Sequence, residues 1–286
     1  MTDRQARDLP LDAHLHTDLS PDSDVPIDSF ARQAVDRGIA EIAITDHVDF
    51  RQGAPAYAFS TFELREHQVR DAAERWAGRG LAIRFGTELT YERAYEADIR
   101  EHLRRHAYDF VIGSVHITAD SPFVPSRVAG WVAGRSLAEI VEPYYVEVEG
   151  AARSGLFDAL GHLDFVKRYL APLVTAADLA TAPELLDPIL RALVESGTAL
   201  EVNTSGLRQA PGETYPSAAT VERFRELGGE RVTIGSDAHR KDHFAFGLAD
   251  GYDQVRAAGF EALWFRRGDE PVTVPIGLPV ATDDRR

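Results

Sequence analysis

Residues 10–16 read PLDAHLH, an apolar stretch that ends in two histidines separated by one leucine. Side chains two positions apart on a β-strand point to the same face of the sheet. A strand is therefore predicted over Pro10–His16, and its two histidines, His14 and His16, are placed to hold one metal ion together. This stretch indicates both how the chain folds and where its polar site lies.

The same arrangement recurs along the chain, where short apolar runs alternate with longer stretches of helical periodicity. The apolar runs predict six further strands and a terminal extra strand at Leu263–Phe265. The six are Glu41–Thr45, Ala82–Leu89, Phe110–Val115, Ala159–His162, Ala199–Asn203 and Arg231–Gly235. Helices are predicted between them, the second opening on a Ser60/Glu63 capping box. These are Pro26–Arg37, Ser60–Ala77, Tyr95–His106, Leu137–Ser154, Leu185–Ser196, Ser217–Leu227 and Tyr252–Ala258.

Strands that alternate with helices are typical of an α/β fold with a largely parallel sheet. Seven such units in 286 residues favour a closed or nearly closed TIM-like barrel, which typically needs roughly 250 residues. An open doubly wound sheet is the alternative topology. Because no linker rich in Gly, Ser or Pro divides the chain, one domain is predicted over residues 1–286, with an irregular tail at Pro271–Arg286. Asp120–Arg135 is predicted to be a long loop.

The composition limits the possible partners and metal ligands. With 46 acidic and 31 basic residues the net charge is −15, so neither nucleic acid nor an anionic membrane is an expected partner. The absence of cysteine means that nitrogen and oxygen atoms must hold any metal. Because the amino terminus is polar and the sequence has no long apolar run, neither a signal peptide nor a membrane span is predicted. The expected location is therefore the cytoplasm. The oligomeric state is left open.

Metal-binding side chains follow most of the predicted strands, and six of the ten histidines lie there. The carboxyl ends of parallel barrel strands converge on one face, where barrel enzymes keep their sites. The nine candidates exceed what one tetrahedral ion can use, which predicts two or three divalent ions of zinc, manganese or iron. The candidates are His14, His16, Asp46, His47, Glu88, His116, His162, Asp237 and His239. The other four histidines are predicted to be solvated surface residues, namely His67, His102, His106 and His243.

The ordered motifs resemble those of the polymerase-and-histidinol-phosphatase (PHP) superfamily. They are His14-Leu-His16-Thr17, Thr45-Asp46-His47, Gly86-Thr-Glu88, Gly113-Ser-Val-His116, Gly161-His162 and Gly235-Ser-Asp237-Ala-His239. The resemblance runs from Asp12 to about Gly247 and implies a distorted seven-stranded (β/α)7 barrel with up to three metals at the carboxyl ends of its strands. It implies a first metal held by His14, His16, Glu88 and Asp237. It implies a second held by Glu88, His116 and His162, and a third held by His47 and His239.

One position departs from the family pattern, because Asp22 stands where some relatives carry a further histidine ligand. A carboxylate can also bind the third metal, but as a harder ligand with a negative charge. Asp46 is expected to act from outside the ligand set, as a partner of a ligand or of the hydroxide. The resemblance further implies that Arg168 and Arg208 hold the substrate phosphate, which suits the planar guanidinium group.

The segments around these two arginines resemble the histidinol-phosphatase branch, which implies hydrolysis of L-histidinol phosphate by a metal-bridging hydroxide. Either His239 or Asp46 would protonate the leaving alkoxide. Two alternatives remain: the same site could serve another small phosphate ester, such as a nucleotide or sugar phosphate, or the barrel could be an accessory module without turnover. Asp120–Arg135 and Arg208–Tyr215 are the segments expected to set specificity.

Overall fold

The parallel strands of the sheet pair with one another in the order in which they follow along the chain. They are found in the computed structural model of the protein, which describes residues 9–277. The strands are β1 (Leu11–Leu15), β2 (Glu41–Ile44), β3 (His47–Val48), β4 (Ala82–Thr90), β5 (Phe110–Ser114), β6 (Ala159–Leu160), β7 (Ala199–Asn203) and β8 (Val232–Gly235). The two-residue strand β3 pairs with the second half of β4, so seven strands form the main path of the sheet.

The sheet curls round until its last strand meets its first. Leu15 and Ala238 form a parallel bridge. The Asp237 N–H donates to the carbonyl of His14 over 2.9 Å, and the His16 N–H donates to the carbonyl of Ala238 over 3.0 Å. The result is a nearly closed barrel of seven parallel strands, as predicted. The open doubly wound alternative is wrong, because the strand order never reverses.

Helices connect the strands and pack around the barrel. They are α1 (Ile27–Arg37), α2 (Phe62–Ala77), α3 (Glu96–Arg105), α4 (Val128–Val132), α5 (Leu137–Ser154), α6 (Lys167–Leu170), α7 (Ala176–Leu179), α8 (Asp187–Ser196), α9 (Ala218–Glu226) and α10 (Leu248–Ala257). Short α4 lies inside the predicted Asp120–Arg135 loop, and α6 and α7 were not predicted. None of the described helices combines the length and the apolar character needed to cross a membrane.

Three predicted helix starts are wrong by two to four residues, and one of them is that of α8, which begins at Asp187 and not at Leu185. Helix α2 begins after Thr61, whose side chain accepts the N–H of Leu64 over 3.2 Å, so the predicted Ser60 capping box is replaced by this cap. Helix α10 begins at Leu248, directly after Gly247 in a left-handed conformation, and not at Tyr252. Helix α2 is therefore shorter at its start, and α10 longer at its start, than hydrophobic periodicity alone indicates.

A carboxy-terminal hairpin covers the end of the barrel opposite the predicted site. It consists of β9 (Ala262–Arg267) and β10 (Glu270–Pro275), so the irregular tail predicted from Pro271 is wrong as far as Pro275. Phe265 stacks against Phe110 at the start of β5, with ring centroids 4.5 Å apart. Arg267 forms an ion pair over 2.6 Å with Glu41, the first residue of β2. The part of the predicted tail at 278–286 lies outside the described residues.

Candidate metal centre

The predicted ligands converge at the carboxyl ends of the barrel strands. Glu88, near the end of β4, lies at the centre of the cluster and is 1% exposed. Imidazole nitrogens from five histidines lie within 3.5 Å of its two carboxylate oxygens. These histidines are His14, His16, His47, His116 and His162. One buried carboxylate thus faces five histidines from four different strand ends of the barrel.

The first group of ligand atoms has the spacing of a metal site. The Nε2 atoms of His14 and His16 lie 2.9 Å apart, and each faces Oδ1 of Asp237, at 3.8 and 3.3 Å. Glu88 Oε2 lies 3.5 Å from the first of these nitrogens and 3.4 Å from the second. Four ligands of a tetrahedral ion with bonds of 2.0–2.2 Å lie roughly 3.3–3.6 Å apart. The four atoms therefore surround a space that suits one divalent ion.

The second group lies on the other side of the Glu88 carboxylate. Its Oε1 atom is 2.9 Å from His162 Nε2 and 3.4 Å from His116 Nε2. His47 Nδ1 approaches Oε2 over 2.8 Å, and the potential ligand atoms of His47, Glu88 and His116 lie within 4.8 Å of one another. Because Glu88 takes part in both groups, it can bridge two ions.

Asp22 forms the centre of the third group. Its Oδ2 atom lies 3.2 Å from Nε2 of His47 and 3.0 Å from Nε2 of His239. The structure thus places Asp22 between His47 and His239, although its side chain is about half exposed. His16 also lies within reach of this group, so the first and third groups are adjacent.

The electrostatics of the cluster suit cation binding. Burial alone would raise the pKa of Glu88, but the nearby imidazoles of His47 and His14 outweigh it and hold that pKa well below its usual value. The pKa of Asp237 is likewise held low against the effect of burial, chiefly by His14. Burial lowers the pKa of His16, and the neighbouring His239 lowers it further. The carboxylates are therefore ionised and His16 is neutral. Against the effect of burial, nearby carboxylates raise the pKa of His14 and of His47, so these two imidazoles must release a proton when they bind a metal.

Several buried atoms of the cluster lack a hydrogen bond. Glu88 Oε2 is fully buried and lies close to three imidazoles, yet it is aligned for a hydrogen bond with none of them. Buried carboxylate oxygens without a partner are rare, because losing water without gaining a hydrogen bond is costly. A cation among these ligands would satisfy this atom, so the donor set fits divalent metals.

The backbone is strained where two candidate ligands are aimed at the site. His162 has a φ of 22° and Asp237 a φ of 52°, a region that residues other than glycine and asparagine seldom adopt. Such strain persists only where the surrounding structure enforces it, and it is concentrated at functional sites. In both cases the strained residue stands two positions after the last residue of a strand, and the turn directs its side chain towards Glu88 or His14.

A cavity of about 560 Å³ opens beside the cluster, and both predicted phosphate-binding arginines line it. Arg208 is half-buried and donates hydrogen bonds to the carbonyls of Ser236, over 2.8 Å, and Asp237, over 2.5 Å. Arg168, on α6, is exposed and packs near the rings of Phe165 and Tyr169. Both guanidinium groups therefore border the same space as the candidate metal ligands.

The two segments expected to set specificity lie on different sides of this site. Gln209 lines the main cavity beside Arg208. The start of the Asp120–Arg135 segment lines an adjacent cavity of about 370 Å³, which shares His116 with the main cavity. Both segments thus lie within reach of a ligand larger than phosphate.

Asp46 is not part of the cavity wall. Its carboxylate accepts hydrogen bonds from the Thr17 backbone, over 2.6 Å, and from the Thr17 hydroxyl, over 2.9 Å. Its carbonyl accepts hydrogen bonds from the buried side chains of Arg65 and Thr87. These contacts fix the backbone just before His47, so Asp46 orients a candidate ligand instead of facing the cavity.

The prediction for the remaining histidines holds only for His67, which is well exposed. His102 is half-buried and lies 2.9 Å from the hydroxyl of Tyr108, and His106 stacks on Phe62. His243 lines the main cavity, and its buried Nδ1 has no hydrogen-bond partner among the described residues. The prediction of solvated surface positions is wrong for these three residues, because amphipathic helices and loops pack their imidazoles against neighbouring aromatic rings or the site.

Two buried carboxylates that support the cluster were not predicted. Glu201 on β7 lies 2.5 Å from Nδ1 of His14, on the side opposite the metal-facing nitrogen. Asp12 on β1 accepts hydrogen bonds from the backbone and the hydroxyl of Ser236, which directly precedes Asp237. The signal in the sequence was an acidic residue inside an apolar strand, where a charge is costly unless it has a partner.

Comparisons with known proteins show which family the chain resembles. The family model described as PHP domain matches residues 12–205. A probable histidinol-phosphatase of Deinococcus radiodurans is 32% identical over 89% of this chain and 96% of that protein. The histidinol-phosphatase of Lactococcus lactis subsp. lactis is 26% identical over 88% of this chain and 93% of that protein.

A solved structure shows that the fold is shared as well. The crystal structure of histidinol phosphate phosphatase from Lactococcus lactis subsp. lactis, complexed with zinc, L-histidinol and phosphate, has a TM-score of 0.79 to this chain. The two are 24% identical, and the match covers 92% of this chain and 98% of that chain. On the strength of the family-model match and the similarity to the Deinococcus protein, the chain belongs to the PHP domain family.

Proposed function

We propose that this protein is a metal-dependent phosphatase that hydrolyses L-histidinol phosphate to L-histidinol and inorganic phosphate. The observation that carries the proposal is the ligand cluster around Glu88, in a cavity that also contains two arginines. The substrate is suggested by the histidinol-phosphatases, because their similarity extends over 88–89% of this chain and is not confined to one motif.

The proposed ligand sets follow the three groups of atoms. His14, His16, Asp237 and Glu88 hold the first ion, and the same Glu88 with His116 and His162 holds the second. Asp22, His47 and His239 hold a third. Nitrogen and oxygen ligands of this kind suit zinc, manganese or iron. Such ions, when bound, polarise phosphoryl oxygens and lower the pKa of water enough to supply hydroxide at neutral pH.

The chain's own residues bind and orient the phosphate. Arg208 keeps its two carbonyl partners on one edge and has further N–H groups for phosphoryl oxygens. Arg168 approaches from α6, so positive charge lies on a second side of the cavity. Fixed donors of this kind stabilise the negative charge that the phosphoryl oxygens carry in the transition state.

His239 is the better placed of the two candidates for protonating the leaving alkoxide. Its ring lines the cavity and is 24% exposed, whereas the Asp46 carboxylate is turned towards Thr17. Its Nε2 atom can either bind a third ion or donate a proton, because a metal-bound nitrogen has no proton to give. In this proposal His239 is the proton donor when the third group holds no ion.

The first test is phosphate release from L-histidinol phosphate by the metal-loaded protein, compared with a panel of nucleotides and sugar phosphates. A kcat/KM at or above about 10⁴ M⁻¹s⁻¹, well above every competitor, is expected for the true substrate of an enzyme. Faster turnover of another ester would reassign the substrate but keep the reaction. No turnover of any ester by fully loaded protein would contradict the proposal and favour an accessory module.

The number of ions is tested separately by elemental analysis. Wild-type protein loaded with Mn²⁺ and freed of excess metal is expected to hold up to three equivalents. Asp22→Ala is expected to hold one equivalent fewer, because Asp22 contacts ligands of the third group alone. An equal metal content in the two proteins would contradict the assignment of Asp22 as a ligand.

A further inference from the structure

Strand β7 contributes none of the proposed metal ligands, yet it sends a carboxylate into the cluster. Glu201 lies in the middle of this strand and is fully buried. Its Oε1 atom is 2.5 Å from His14 Nδ1. Its Oε2 atom accepts the backbone N–H of His162 over 2.8 Å and the side-chain amide of Asn203 over 3.1 Å. The two oxygens thus contact residues of two different ligand groups.

The barrel interior is shaped to leave room for this carboxylate. A Cβ atom added at Gly235 would lie 3.0 Å from Glu201 Oε1 and 2.2 Å from the Cβ of His14. A Cβ atom added at Gly161 would lie 3.4 Å from Glu201 Oε2 and 2.3 Å from the hydroxyl of Ser114. Gly235 therefore leaves room for both His14 and Glu201, whereas Gly161 leaves room chiefly for the Ser114 hydroxyl beside Glu201.

No lysine or arginine forms an ion pair with Glu201 in the part of the chain that the structure describes. A buried carboxylate without a cationic partner is costly unless donors satisfy its oxygens. Here the donors are the His14 ring and two N–H groups. Donation from His14 Nδ1 to Glu201 fixes the tautomer whose Nε2 lone pair faces His16 and Asp237; carboxylates that lie behind histidine ligands have this effect in many metal sites.

We propose that Glu201 is a positioning residue that couples the first and second metal groups through its two oxygens. One oxygen orients the His14 ring in the first group. The other anchors the strained backbone of His162, whose ring belongs to the second group. Losing this carboxylate therefore weakens both groups at once. The inference rests on the proposed metal centre.

The test substitutes Glu201→Gln and measures the affinity for Mn²⁺ and Zn²⁺ at each site by chelator competition. A glutamine side chain has one acceptor oxygen, so it can serve either His14 or His162 but not both. Loss of a carboxylate behind a ligand typically costs about 10–100-fold in metal affinity. We expect losses in this range at both tightly bound equivalents, and partial recovery of phosphatase activity when the metal concentration is raised.

Glu41→Gln is the matched control. Glu41 is also a buried glutamate on a barrel strand, but it lies at the opposite end and pairs with Arg84 and Arg267. This variant is expected to lower the free energy of unfolding and to leave both metal affinities unchanged. The comparison therefore separates the general cost of losing a buried carboxylate from an effect on the metal groups.

The outcomes distinguish this inference from the proposed function. If the wild-type protein binds no divalent metal, the metal centre itself is refuted. If the wild type binds metal and Glu201→Gln binds it equally well, or loses affinity at one equivalent only, the coupling is refuted and the metal centre stands. Should Glu201→Gln not fold, NMR of ¹⁵N-histidine in zinc-loaded wild type decides, since the inference requires His14 to carry its proton on Nδ1.

Discussion

Replacing Arg208 by alanine should lower kcat/KM for L-histidinol phosphate by about 10²–10³, the usual cost of losing one fixed donor to a developing anion. Replacing Arg168 by alanine should lower it by only about fivefold. The two arginines line one cavity and carry the same charge, so the contrast must come from their surroundings. Arg208 is half-buried with two carbonyls holding its guanidinium, whereas Arg168 is exposed.

The magnitudes follow from Coulomb attraction at about 4 Å. Near a partly buried guanidinium, an effective dielectric constant of about 20 gives roughly 4 kcal/mol, which corresponds to about 10³ in rate. Near a solvated guanidinium, the value for bulk water is roughly 1 kcal/mol, or about fivefold. The backbone hydrogen bonds of Arg208 add to the difference, because they fix the group before the substrate arrives.

The assay is steady-state phosphate release with each variant loaded with the same metal. Metal content must be measured alongside, because Arg208 also holds the carbonyl of the proposed ligand Asp237. Arg104→Ala is the control for the change in net charge, since Arg104 is exposed on α3 and pairs with Glu101. Arg208→Lys should recover only part of the activity, because lysine lacks the planar fork. Equal losses for Arg208→Ala and Arg168→Ala at full metal content would refute the reasoning.

Three further predictions concern metal, packing and pH. Chelation should abolish activity and lower Tm, and Mn²⁺ or Zn²⁺ should restore both, because an ion at 100 times its Kd adds about 2.7 kcal/mol to stability; unchanged Tm would argue against bound metal. Gly235→Ala should lose metal, because the added Cβ atom would clash with His14. The control Gly229→Ala, whose added Cβ atom would clash with the Phe224 ring, should lose stability alone. Elemental analysis measures the metal content and urea unfolding measures the stability of each variant. Burial, with His106 and Arg65 nearby, lowers the pKa of His102 to about 4. Unfolded histidine titrates near about 6.5, so unfolding takes up a proton between these values and stability falls as pH falls through this range. In urea unfolding at several pH values, His102→Gln should flatten that dependence, and an unaltered slope would contradict it.

The positions of the ligands could be predicted because they depend on topology more than on exact strand ends. Parallel strands bring their carboxyl ends together, so a histidine placed one residue beyond a strand still reaches the site. The prediction ended the fifth predicted strand, Ala159–His162, at the histidine itself. Strand β6 ends at Leu160 because Gly161 and His162 leave the extended conformation to aim the ring at Glu88. Hydrophobic periodicity gives no information about that turn, so the strand end could not be predicted from it.

The first strand of the carboxy-terminal hairpin, β9, was predicted at Leu263–Phe265, but the second strand, β10, was missed for a different reason. Pro271 and Pro275 both lie within β10, and proline usually argues against a strand because it cannot donate to a sheet. In a two-stranded hairpin each strand is an edge, so half of the backbone N–H groups face outwards and proline is tolerated. Only the tertiary pairing, with Arg267 held by Glu41, shows that this segment is ordered against the barrel.

The two carboxylates behind the candidate ligands, Glu201 and Asp12, were the least predictable part of the site, although both acidic residues are visible in the sequence. Glu201 stands in ALEVN and Asp12 in LDAHL, each between apolar residues of a strand that is buried along its whole length. A carboxylate at such a position needs hydrogen-bond donors from distant parts of the sequence. These donors are His14 and His162 for Glu201, and Ser236 for Asp12. Sequence spacing identifies residues that share a strand end, but not the partner that lies behind a ligand on another strand. A buried acidic residue in a central barrel strand therefore indicates a hydrogen-bond partner on another part of the barrel, and here these partners carry or directly precede the candidate ligands.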